Sequence, residues 1–89
     1  MTRVYMDDEY WVELARKYKV RLPQHRTPLA TGPMERWLKQ LGISNKAYLQ
    51  YTGNQNRAQF IAANPDWTLR GFVGLLLEAL EWGMIVKET

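Results

Sequence analysis

The sequence predicts an all-α fold, a compact bundle of four to five helices. Two observations carry this. Apolar residues return at helical spacing in successive segments, and each segment is bounded by Gly, Pro, Ser, Asn or Asp where such residues start or stop helices. A third observation sets the scale. Eighty-nine residues with 46% apolar side chains, four Trp and five Tyr suffice for one core and are too few for two. The chain divides into an N-terminal helix (1–19), a basic loop (20–32), a helical core (33–83) and a tail (84–89).

The first helix is expected over Asp8 to Tyr18. Asp7 can cap it, Asp8 and Glu9 suit the positive end of its dipole, and Arg16 and Lys17 the negative end. Trp11, Leu14, Ala15 and Tyr18 form its inward stripe. Residues 20–32 read as a loop because Pro23 and Pro28 each lack an N–H and restrict the preceding residue. It carries Arg21, His25 and Arg26, and irregular segments of this length in small domains are often functional or mobile.

Gly32-Pro33 then places a permissive cap before a proline at the first helical position. Met34, Trp37, Leu38 and Leu41 complete an apolar stripe, and Gly42 supplies a left-handed stop with Ile43 as the following apolar contact. Ser44 can cap a short helix that buries Ala47, Tyr48 and Tyr51 and ends at Gly53. Asn54 or Asn56 can open another, with Ala58, Ile61 and Ala62 inward, halted by Asn64-Pro65.

The last helix should start near Asp66–Thr68 and reach Trp82-Gly83. Its apolar face of Leu69, Phe72, Val73, Leu76, Leu77 and Leu80 is widened by Leu75, Ala79 and Trp82. Only Arg70, Gly74, Glu78 and Glu81 remain as a polar strip. Such a helix is either the central core element or part of an oligomer interface. Met84 to Lys87 could form a short strand beside Arg3-Val4-Tyr5.

Charge is distributed unevenly. Ten Lys and Arg lie between Arg16 and Arg70 against only Glu35 and Asp66, a net +8, while residues 1–15 carry −3 and residues 71–89 carry −2. Clustered positive charge attracts a polyanion or an acidic protein over a Debye length of roughly 8–10 Å. No cysteine is present, which removes disulfides and thiolate chemistry, and this fits a reducing compartment. No segment resembles a signal peptide or approaches the roughly 18 apolar residues of a membrane span. A small cytoplasmic protein with no membrane association is the expectation.

The order helix, Gly-Ile-Ser, helix, Gly, polar turn, helix, Asn-Pro, long helix resembles the helix-turn-helix core of the lambda-repressor and Cro class. Leu41-Gly42-Ile43-Ser44 resembles the segment opening the first helix of that unit, Thr52-Gly53-Asn54-Gln55 its turn, and Asn64-Pro65 its exit. The resemblance covers residues 33–83 and implies DNA binding and transcription regulation, with the helix after the turn as the recognition helix. Three framework positions depart from the family pattern: Leu49 stands where a small residue is usual, and Asn54 and Gln59 stand where apolar residues are. They bear on how the two helices cross.

Gly53-Asn54-Gln55-Asn56-Arg57-Ala58-Gln59 places amides and a guanidinium in one run. Asn and Gln can bond adenine bidentately and Arg can bond guanine, because the major groove displays the matching donors and acceptors. The plainer account is that these residues cap a short helix and face solvent. Arg36, Lys39, Lys46, Arg70, Arg21 and Arg26 are the phosphate-contacting candidates, which supply salt-sensitive affinity without sequence preference. Tyr48, Tyr51 and Trp67 could stack on unpaired bases, although tyrosines at helical spacing more often build the core.

Catalysis is not expected. His25 is the only histidine and has no carboxylate near it in sequence, and Asp7-Asp8-Glu9 reads as helix capping instead of a metal site. No cofactor is implied. The expected function is a DNA-binding regulator that dimerises through residues 69–86. The alternative is a non-catalytic protein-interaction module (adaptor, inhibitor or assembly component) using the basic and aromatic surface, and RNA is a third, weaker partner class.

Overall fold

The computed structural model describes residues 8–85. Five helices follow in order: α1 (Asp8–Lys17), α2 (Thr31–Leu41), α3 (Asn45–Thr52), α4 (Arg57–Ala63) and α5 (Leu69–Glu81). The fold is all-α, as the periodicity requires. The strand pair expected at residues 3–5 and 84–87 lies largely outside the described residues. Met84 and Ile85, which are described, form a bend.

Helix α5 is the axis of the bundle. Leu69, Phe72, Val73, Leu76, Leu77 and Ala79 are buried, and α1 and α2 pack against it. Its apolar face is therefore used within the chain, as the central core element requires. Thr68 caps it by accepting a hydrogen bond from the Gly71 N–H. Trp82 does not widen the buried face as expected. It falls at the C-cap, where the chain leaves the helix, and is 69% exposed.

Gly74 also departs from the expected polar strip, because it is buried under the Trp11 indole. A Cβ at residue 74 would lie 2.3 Å from Trp11 Cδ2, so only a glycine lets the ring rest on the helix backbone. Trp67 covers Gly71 one turn earlier at ordinary contact distance, 3.7 Å from the position of a Cβ there. Two indoles thus pack on adjacent turns of α5, and the Trp11 Nε1–H donates to Glu78 on the same helix.

Helix α2 begins at Thr31 instead of Pro33, with Ala30 as its N-cap. Proline is accepted here because N–H groups of the first turn have no intrahelical partner. Gly42 ends α2 in the left-handed conformation (φ 75°), and the buried Ile43 returns its N–H to Leu38 O at 2.9 Å. Ser44 caps α3 through the Ala47 N–H at 3.0 Å, Tyr48 is fully buried, and Gly53 (φ 70°) closes the helix.

Helix α4 opens at Asn56 but does not bury the residues expected. Ala58 and Ala62 are exposed, Ile61 is half-buried, and Phe60 takes the core position. Its ring meets Phe72 and Trp67 edge-on, with centroids 5.5 and 5.8 Å apart. An aromatic ring buries far more apolar area than an alanine, so it sets the rotation of a seven-residue helix.

The loop between α1 and α2 is pinned to the start of α5. The Leu69 N–H donates to Thr27 O at 2.8 Å, Pro28 bridges Thr68, and Arg70 Nη1 donates to Pro23 O at 2.7 Å. No described helix is long and apolar enough to cross a membrane.

Candidate nucleic-acid interface

The two acidic ends fold back onto the basic middle. Arg70 Nε and Nη2 grip the two oxygens of Asp8 at 2.7 and 3.2 Å, and Lys17 Nζ lies 2.8 Å from Glu81 Oε1. The Arg70 hydrogen bonds hold the Asp8 carboxyl below the ordinary carboxylate range. The Glu81 hydrogen bond likewise raises the Lys17 pKa while that of Glu81 is lowered. Arg70, whose side chain is only 13% exposed, is thus committed within the fold and is withdrawn from the group of phosphate-contacting candidates.

The other basic candidates remain on the surface. Arg36 and Lys39 are exposed on α2, three residues apart and opposite the buried Met34, Leu38 and Leu41. Lys46 is exposed in the first turn of α3, and Arg21 and Arg26 are exposed in the loop. Helix α4 packs on α2, which brings the element carrying Arg57 against the one carrying Arg36 and Lys39.

Within the α3–α4 turn the amides divide by role. Asn56 and Gln59 form a reciprocal capping box: the Gln59 N–H donates to Asn56 Oδ1 and the Asn56 N–H donates to Gln59 Oε1, both at 2.8 Å. Asn54 is exposed and left-handed (φ 72°), directly after the left-handed Gly53. Gln55 is half-buried, and its carbonyl accepts from the Thr52 hydroxyl at 2.9 Å. Two consecutive left-handed residues shape this turn, and the core residue after it is Phe60, one place beyond the position where the family pattern would bury Gln59.

Arg57 has the most unusual surroundings. Its Nη1 donates to Asn45 Oδ1 at 3.2 Å, linking the first residues of α3 and α4. Its Nε is sealed from solvent without a hydrogen-bond partner, as is the hydroxyl of the fully buried Tyr48. Burial pushes the Tyr48 pKa up to about 12, with the nearby Arg57 charge pulling the other way. Among the described residues no carboxylate pairs with this guanidinium. A partly buried cation is normally paired, because desolvation disfavours its charge.

Sequence reasoning named Arg57 but missed Asn45. A contact between residues twelve apart depends on how two helices cross, and no periodicity encodes that. Tyr48 and Tyr51 are core or half-buried residues, and burial raises the pKa of Tyr51 also. Comparison with protein-family models, with characterised proteins and with solved structures finds no match.

Proposed function

We propose that the protein binds DNA, with the α3–α4 turn and the starts of both helices facing the duplex. One observation carries the reading: the Arg57 guanidinium is fixed by Asn45, partly desolvated, and lacks a carboxylate partner among the described residues. A cation held in this way is prepared for an external anion or for the O6 and N7 acceptors of guanine. Asn54 is free to reach a base edge, whereas Asn56 and Gln59 act chiefly as caps. Arg36, Lys39 and Lys46, with Arg21 and Arg26 farther along the chain, supply phosphate contacts.

The test is fluorescence anisotropy with mixed-sequence duplexes at low (about 50 mM) and moderate (about 200 mM) salt. Binding should weaken steeply with salt, and Arg57→Glu combined with Arg36→Glu should abolish it. Absence of binding at low salt, or an unchanged affinity of the double variant, refutes the reading. RNA duplexes and single strands in the same assay rank the nucleic-acid classes.

A second reading, a protein-interaction module, draws on the exposed Trp82 and Met84 beside the C-terminal end of α5. Side chains of this size on the surface suit a protein contact. A second copy of the chain would meet the first there, since the apolar face of α5 is filled internally. Sedimentation of Trp82→Ser beside the wild type separates a dimer from a monomer.

A further inference from the structure

A cleft of about 530 Å³ lies between the start of α1, the α1–α2 loop and the α4–α5 turn. Its size falls within the roughly 300–1,000 Å³ of small-molecule sites. Two indoles wall it: Trp11, buried on Gly74, and Trp67, half-buried between Phe60 and Gly71. Both are held by packing on α5, so the aromatic walls exist before any ligand arrives.

The polar groups of the cleft decide its preference. Arg70 lines it but is committed to Asp8 and to Pro23 O. His25 stands at the rim, its Nε2 3.6 Å from Asp8 Oδ1. Asp66 is exposed and makes no ion pair or hydrogen bond among the described residues. Arg70 neutralises Asp8, which leaves the Asp66 carboxylate as the unpaired anion of the cleft, on a chain whose residues 16–70 carry +8.

We infer that the cleft binds a small organic cation, an ammonium group on a flat aromatic body. The body would lie against the two indoles and the ammonium would reach Asp66, where aromatic and carboxylate attraction add. An anion would meet an unneutralised carboxylate. A metal ion lacks donors, since no group of three or more His, Cys, Asp or Glu converges among the described residues.

Three ligands with an indole body and different termini test this: tryptamine (ammonium), tryptophol (hydroxyl) and indole-3-propionate (carboxylate). The readout is the Trp67 indole N–H resonance of the full chain, assigned with Trp67→Phe. Tryptamine should shift it saturably and bind about tenfold more tightly than tryptophol, and indole-3-propionate should not bind. Asp66→Asn should bring tryptamine to the affinity of tryptophol without changing the melting temperature. An unmoved Trp67 signal, equal binding of tryptamine and tryptophol, or full tryptamine affinity in Asp66→Asn overturns the inference. None of these outcomes depends on DNA binding.

Discussion

Replacing Gly74 by alanine places a methyl group 2.3–2.8 Å from three atoms of the Trp11 indole, where carbon atoms rest at about 3.5–4.0 Å. The indole must retreat by roughly 1 Å or more, because the alternative is displacement of the α5 backbone. Overpacking of this kind costs about 1–3 kcal/mol. Retreat also loosens the Trp11 hydrogen bond to Glu78, worth about 1–2 kcal/mol. Against these stands the better helix propensity of alanine, about 1 kcal/mol. The net expectation is a loss of about 1–4 kcal/mol, and each kcal/mol lowers the melting temperature by roughly 4–8 °C in a domain of this size.

Gly71 is the internal control, since a methyl there meets Thr68 and Trp67 at 3.7 Å. Gly71→Ala should be neutral or stabilising by up to about 1 kcal/mol. Urea denaturation followed by circular dichroism measures both variants. In a Trp11→Leu background the Gly74→Ala penalty should shrink, because the clashing ring is gone. A Gly74→Ala protein as stable as the wild type, or a Gly71→Ala protein equally destabilised, would refute the account of α1 docking.

Tyr48→Phe removes a buried hydroxyl that has no partner, so stability at neutral pH should hold or rise by up to about 1 kcal/mol, and a large loss in urea titration would contradict this. Because its folded pKa of about 12 exceeds the unfolded value near 10, Tyr48 ionisation leaves stability untouched below about pH 10 and lowers it progressively toward about pH 12. The wild type should therefore lose up to about 2–3 kcal/mol in that window that Tyr48→Phe retains, as read by urea midpoints at each pH. Asp8, with its pKa lowered by Arg70, contributes stability above the ordinary carboxylate range that is lost as pH falls through the lowered value. With 38% of the side chain exposed and screened, Asp8→Asn should flatten acid denaturation below about pH 4 by no more than about 1 kcal/mol. Asn56→Ser preserves a capping oxygen and Asn56→Ala does not, so only the second should lose about 1 kcal/mol. Equal DNA affinity of wild type and Asn56→Ser in anisotropy would mark Asn56 as a cap, and a loss in both variants would mark it as a reader of bases.

Helix boundaries were legible in the sequence because they depend on local chemistry. Gly42 and Gly53 adopt the left-handed stops that glycine permits, and Ser44, Asn56 and Thr68 accept the first-turn N–H bonds that their side chains can reach. The apolar stripe of α2 and the all-α class follow from the same local periodicity. Rotation of the short α4 did not follow: five apolar residues on seven positions define no unique face, and Phe60 decided it by meeting Phe72 and Trp67. The charge count was legible too, but not its partition. Asp8 meets Arg70 sixty-two positions away, and Lys17 meets Glu81 across sixty-four. The sequence by itself determined the caps of α3, α4 and α5, the stops at Gly42 and Gly53, and that the middle of the chain is basic. Only the tertiary structure decided which cations are neutralised, why Gly74 must lack a side chain, and that Asn45 holds Arg57 without a carboxylate partner among the described residues, because each depends on how distant helices pack.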